Sequence, residues 1–104
     1  MDVYEALADP TRRQIVSMLA AGERSAGDLA GRFEMAGPSV SRHLKVLRES
    51  GLISYRREAT SRLYRLEPEP LQLVRQWMEA QLDVVKARFD RLGARLDAMK
   101  ERGD

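Results

Sequence analysis

Gly51 divides the stretch GPSVSRHLKVLRESGLISYRRE, residues 37–58, into two segments with different periodicities. Before it, Val40, Leu44 and Leu47 recur at i, i+4 and i+7, which places three apolar side chains on one face of a helix. After it, Ile53 and Tyr55 alternate with polar residues, the spacing of a half-buried strand. Pro38 suits the first helical turn, where a missing N–H costs nothing, and glycine is the residue that stops a helix. The segment therefore predicts a helix opened by Pro38, closed by Gly51 and followed at once by a strand.

The flanking chain extends this pattern on both sides. Val3, Tyr4 and Leu7 line one side of a short first helix that stops near Asp9. Asp9 is a helix N-cap with Pro10 behind it, Ile15, Val16 and Leu19 form the buried stripe of the second helix, and Gly22 ends it. Ser25 with Asp28 fits a capping box for a third helix burying Ala26, Leu29, Ala30 and Phe33, and residues 34–37 form a turn. Leu52 to Glu58 and Arg62 to Leu66 are expected as two strands, with Tyr64 and Leu66 on one face of the second. The turn between them, Ala59-Thr60-Ser61, lacks glycine.

Pro68 and Pro70 mark a boundary, giving a segment 1–68 and a segment 69–104 within one compact unit. In the second segment Met78, Leu82, Val85, Phe89, Leu92, Leu96 and Met99 recur at steps of four and three, a heptad seam. A helix of about 30 residues runs roughly 45 Å at 1.5 Å per residue, longer than a domain this small covers. The seam is expected to meet the same helix of a second subunit; packing wholly within its own domain is the alternative. Trp77, beside Met78, belongs to that interface or to a ligand pocket within it. Gly93 is accounted for by close helix approach or by fraying beyond it.

Formal net charge is only +2, yet its distribution is uneven. Residues 1–36 carry four basic and six acidic groups, residues 37–66 seven and two, and residues 67–104 seven and eight. Concentration of positive charge in the middle segment points to a polyanion partner, against the plainer reading of a solvated face. On the fourth helix Ser39, Arg42 and Val46 lie opposite the apolar stripe, with Pro38, Ser41, Lys45 and Glu49 alongside. Small hydroxyl side chains permit close approach to a duplex, Arg42 is long enough to read guanine, and Lys45 suits a phosphate. Arg56, Arg57 and Arg62 on the hairpin would reach a neighbouring backbone or minor groove. His43 lies at the edge of the buried stripe, where packing with a local hydrogen bond competes with contact to DNA. For Arg12 and Arg13 the alternatives are phosphate contact and pairing with Glu5 or Asp9.

Other function classes find no support in the residues. The 104 residues contain no cysteine and one histidine, so disulfides, thiolate metal ligands and thiol redox sensing are absent, as is any paired nucleophile and base. Neither a glycine-rich phosphate loop nor a run of about 20 apolar residues is present. A single-domain cytoplasmic protein that is not an enzyme and carries no cofactor is expected. Its fold class is mainly α: a winged helix-turn-helix, with a three-helix core, a two-stranded β wing and a long C-terminal dimerisation helix.

In ALADPTRRQIVSMLA (6–20), SAGDLAGRF (25–33), PSVSRHLKVLRESGLI (38–53) and YRREATSRLYRLEP (55–68) the chain resembles the ArsR-type winged-helix repressors, in their order and spacing. LQLVRQWMEAQL, which opens the last helix, resembles their branch of small self-regulating repressors. The resemblance implies a homodimer formed by the first and last helices, with Tyr4, Leu7, Trp77, Met78, Leu82, Val85, Phe89, Leu92 and Leu96 at the interface. Paired fourth helices would then read a palindrome in double-stranded DNA. By position, Pro38, Ser39, Ser41, Arg42 and Lys45 form the recognition set, and Arg56, Arg57 and Arg62 the wing contribution. The family's metal sites need a Cys-x-Cys motif in the third helix, or Asp and His ligands in the last. This chain has neither, so no metal sensing is expected; a small-molecule effector is left undefined. The wing tip departs from the family pattern, with Ala59-Thr60 where glycine is usual. A winged helix serving as a protein-interaction module would instead carry a neutral or acidic fourth helix and wing.

Overall fold

The computed structural model describes residues 1–103; Asp104, the last residue of the segment 69–104, lies outside the described residues. The chain divides into two compact units, residues 1–72 and the residues from Leu73 onward. The first unit begins with α1 (Val3–Leu7) and α2 (Pro10–Ala21), followed by a short strand β1 (Arg24–Ser25) and α3 (Ala26–Ala30). It continues with α4 (Gly37–Glu49) and a hairpin of β2 (Ile53–Glu58) and β3 (Ser61–Leu66). The chain then enters α5 (Pro68–Arg102).

Helix boundaries follow local chemistry. The Asp9 carboxylate accepts from the Arg12 amide at 3.0 Å, with Pro10 next to it, and the Ser25 hydroxyl accepts from the Asp28 amide at 3.1 Å. At the other end of α4, Gly51 adopts φ 84°. Its amide donates to the Arg48 carbonyl at 3.0 Å and the Leu52 amide to the Leu47 carbonyl at 3.1 Å. That pair of bonds is the Schellman closure, which needs a left-handed residue at this position and so favours glycine.

Leu52 and Ile53, immediately beyond, are both buried, and the reversal thereby turns the chain back onto the face of α4 that it has just left. One core results, from Ala6, Ile15, Val16, Leu19, Leu29, Val40, Leu44, Leu47, Leu52, Ile53 and Tyr64. Every element from α1 to β3 except β1 contributes to it. The predicted stripe Val40, Leu44 and Leu47 is fully within this core, whereas Val46, expected opposite it, is half-buried and packs against the core's edge.

Three details differ from the sequence expectation. The third helix stops at Ala30, and Phe33 reaches the core from a turn rather than from a helix. Glycines at 27 and 31 weaken helix propensity there, and the apolar spacing that suggested a longer helix is satisfied by the turn. The wing is joined by β1, so the sheet is three-stranded and antiparallel in the order β1-β3-β2, with Arg24 opposite Tyr64 and Tyr55 opposite Tyr64 from the other side. A two-residue strand is too short to leave an alternating pattern. The hairpin turn is also tighter, since Glu58 pairs with Ser61 and only Ala59 and Thr60 lie outside the ladder, Ala59 at φ 56°.

In the second unit α5 continues as an unbroken helix through Gly93 to Arg102, 35 residues counted from Pro68. It starts at Pro68 rather than Leu71, because prolines are tolerated within the first helical turn. Leu71 still packs against the core of the first unit. No residue of α5 is buried, and Met78, Leu82, Val85, Phe89, Leu92, Leu96 and Met99 are between 42% and 68% exposed.

Candidate nucleic-acid interface

α4 carries the side chains expected to contact DNA on the faces left over after core packing. Pro38, Ser41, Arg42 and Lys45 are exposed and Ser39 is half-buried. Arg42 has no ion pair or hydrogen bond to another described residue, so its guanidinium is available to an external partner. Lys45 lies 4.0 Å from Glu49, an exposed i, i+4 pair of little energetic weight.

The three wing arginines have different surroundings. Arg57 is exposed and unpaired among the described residues. Arg62 stacks 4.7 Å over the Tyr55 ring, and hydrogen bonding to Tyr64 raises its already high pKa further, with the field of the two phenols adding to the effect. Arg56, by contrast, is held by Glu23 at 3.2 Å and by Glu58 at 3.3 Å. The Glu23 pair crosses from the loop before β1 to the hairpin, so this arginine anchors the wing as well as presenting charge.

Arg48 did not figure in the sequence reading. It sits 5.4 Å over the Tyr55 ring, at the last turn of α4, and is half-buried. Tyr55 and Tyr64 are themselves in ring contact at 5.5 Å. The signal available in the sequence was its position, at i+3 from Lys45 and i+7 from Ser41 on a helix already predicted.

Among the described residues Arg12 and Arg13 form no ion pair with Glu5 or Asp9 and bond to backbone carbonyls instead. The Arg12 guanidinium donates to the carbonyls of Ala6 at 2.7 Å and Glu5 at 3.0 Å, and Arg13 donates to the carbonyl of Leu7 at 2.8 Å. Both therefore cap the C-terminal end of α1, where cations are favoured by the helix dipole and unpaired carbonyls need donors. His43 closes the same cluster, with Nδ1 3.4 Å from Arg12 Nη1 and 3.8 Å from an Asp9 carboxylate oxygen. Since guanidinium only donates, the Arg12 contact requires an unprotonated Nδ1, with the ring proton on Nε2. Asp9 itself is pulled below the ordinary carboxylate range, chiefly by the Arg12 amide and further by the Arg12 charge, against the opposing effect of burial. The cluster ties α1, α2 and α4 together behind the exposed face.

The predicted interface residues separate in the same way. Leu7 packs partly against the core, Tyr4 is half-exposed, and the α5 residues Trp77, Met78, Leu82, Val85, Phe89, Leu92 and Leu96 are exposed. Among the described residues no helix is long and apolar enough to cross a membrane.

Comparison with known proteins gives a consistent result. A family profile described as bacterial regulatory protein, arsR family, matches residues 9–55, from the cap of α2 into β2. The chain is 39% identical over 77 residues to the transcriptional repressor SdpR of Bacillus subtilis, covering 74% of this chain and 86% of that one. It is 44% identical over 72 residues to the HTH-type transcriptional regulator Rv2034 of Mycobacterium tuberculosis, covering 69% and 67%. The crystal structure of an ArsR family transcriptional regulator superposes with a TM-score of 0.75 at 35% identity, covering 80% of this chain and 86% of that chain. With a buried helix-turn-helix core, a β wing and a cationic exposed face on α4, the chain belongs to the ArsR family of DNA-binding transcriptional regulators.

Proposed function

We propose that the protein is a homodimeric repressor that binds a palindromic operator through paired α4 helices and acts without a metal. The carrying observation is the exposed face of α4, where Arg42 extends unpaired between Pro38, Ser41 and Lys45 while the opposite face is committed to the core. A helix so divided enters a major groove with base-reading and phosphate-binding groups outward. Arg57 and Arg62 contribute charge from the wing. Occupying an operator would exclude polymerase, and the name of SdpR, a repressor, supports this sign of regulation.

Dimerisation is supported by the apolar seam of α5. Seven large side chains at heptad spacing face solvent in the single chain, a patch that monomeric soluble proteins rarely expose. Tyr4 and Leu7 of α1 would extend the interface. Metal independence rests on the donor set: the chain has no cysteine, and its one histidine, His43, is in contact with Arg12.

The test is fluorescence anisotropy of the purified chain on its own upstream DNA and on a random duplex across a salt series, with sedimentation to determine the stoichiometry. Selective binding by a dimer, with log affinity falling by about 0.9 per phosphate contact per decade of salt, is expected. Equal weak binding to upstream and random DNA, or binding by a monomer, would overturn the proposal.

A further inference from the structure

Ser41, Leu44, Lys45 and Arg48 recur at i, i+3, i+4 and i+7 and turn one face of α4 toward the hairpin. Between this face and β3 lies a cavity of about 280 Å³, which Arg62 and Tyr64 line from the hairpin side. Three cations thus surround one small space. Only Lys45 has a carboxylate nearby, Glu49 at 4.0 Å, and both partners of that pair are largely solvated. Neither Arg48 nor Arg62 forms an ion pair with any described residue. Cations placed together in this way repel one another until an anion enters between them.

The two arginines are also held in place before any ligand arrives. Both guanidinium groups stack on the single Tyr55 ring, at 5.4 and 4.7 Å, and Tyr55 is braced by Tyr64 at 5.5 Å. Stacking leaves the edges of the Arg48 guanidinium, and those of Arg62 beyond its bond to Tyr64, free to donate, and rotamers fixed in advance reduce the entropy lost on binding. Ser41 and Tyr64, both with neutral polar side chains, also line the wall. Guanidinium edges, an ammonium and hydroxyls around a compact space suit a tetrahedral oxyanion.

We infer that this cavity is the seat of one phosphate group, held from α4 by Arg48 and from the hairpin by Arg62, with Lys45 and Ser41 at its rim. The inference rests on the DNA-binding reading above, and in the complex the group is a backbone phosphate beside the groove that α4 enters. Arg48 becomes a DNA-contacting residue, and Tyr55 a positioning residue that acts through both arginines. A single phosphate shared by helix and wing would also fix the spacing of those two elements on the duplex.

The experiment uses the full chain and the variants Arg48→Met, Arg62→Met and the double variant, which keep an apolar stem against Tyr55. Circular dichroism melts establish that each folds. Binding to upstream and random duplexes is then followed from 50 to 200 mM salt. One phosphate contact accounts for about a 3.5-fold loss of affinity over that range. In a dimer each substitution removes the contact from both half-sites, so each single variant is expected to lose affinity about 12-fold less steeply than the parent on both duplexes, and the double variant by no more than either single one. Parental steepness in the single variants overturns the site. About a 150-fold difference for the double variant means two separate phosphates per half-site and overturns the shared seat. A parent chain that binds neither duplex refutes the DNA reading itself, a result distinct from both. Inorganic phosphate at matched ionic strength forms a second arm: it should weaken DNA binding by the parent more than by Arg48→Met, whereas that same pattern with a parental salt slope in Arg48→Met would assign the seat to a free phosphate and overturn the backbone assignment.

Discussion

Replacing Ala59 with glycine should stabilise the protein. Ala59 occupies the first of two hairpin-turn positions at φ 56°, and it is the one non-glycine residue with positive φ among those described. Its neighbours Glu58 and Ser61 are paired across the ladder, so the turn cannot relax by shifting register without moving every wing side chain to the other face. An L-residue in the left-handed region costs about 1–2 kcal/mol, and glycine removes that cost. Against it stands the greater freedom of glycine in the unfolded chain, about 0.5–1 kcal/mol. Ala59 is exposed, so no packing is lost. The net gain is about 0.5–1 kcal/mol, roughly 2–8 °C in Tm for a domain of this size. Guanidinium and thermal unfolding at one fixed protein concentration measure it, since dimerisation would make stability depend on concentration. Thr60→Gly is the control: Thr60 lacks positive φ, so only the entropic loss applies and the variant should be destabilised by about 0.5–1 kcal/mol. If Ala59→Gly lowered stability, or matched Thr60→Gly, the assignment of strain to the wing tip would be wrong.

Other consequences can be measured alongside. Leu47→Ala removes a side chain with no exposed surface between α4 and the hairpin and should cost about 2–5 kcal/mol in denaturant unfolding; a loss under 1 kcal/mol would mean the core collapses around the gap. Asp9→Ala deletes the cap on α2 and should cost about 1 kcal/mol near neutral pH. Because the folded-state pKa of Asp9 is lowered from 3.8, its contribution is present above that value and is lost as pH falls through the lower folded one. The gap between parent and variant must therefore narrow in acid, and a gap that widened would contradict the assigned cause. Arg42→Ala should weaken operator binding by about 1–3 kcal/mol and relax choice at one base pair per half-site, measured by competition with single-base operator variants. A loss equal on random DNA would make Arg42 a phosphate contact instead.

Much of this fold is encoded locally. Asp9 with Pro10, Ser25 with Asp28, and Gly51 are capping signals whose chemistry acts within four residues, and each marks a boundary in the structure. The i, i+4, i+7 spacing of Val40, Leu44 and Leu47 needs no partner to define a face, and the exposed positions of Ser41, Arg42 and Lys45 follow from it. Periodicity likewise marked the α5 seam. Where side-chain roles and the third strand depart from expectation, a contact outside the local turn is responsible. Arg56 is an anchor because Glu23 lies beside it, 33 residues away, and Arg12 reads as a capping residue only once α1 has folded back to present its carbonyls. β1 exists because β3 offers it a ladder.

The division has a physical basis. Helix caps, breakers and apolar periodicity act over one or two turns of chain, so the sequence by itself determined the order of the helices and of the two hairpin strands, the buried stripe and the cationic face of α4. Cation stacking, the ion pair between Glu23 and Arg56 and the cavity between α4 and the hairpin depend on distances set only when the core closes. Arg48 and Arg62 are 14 positions apart in the chain, and it was tertiary packing alone that brought both guanidinium groups to one tyrosine ring.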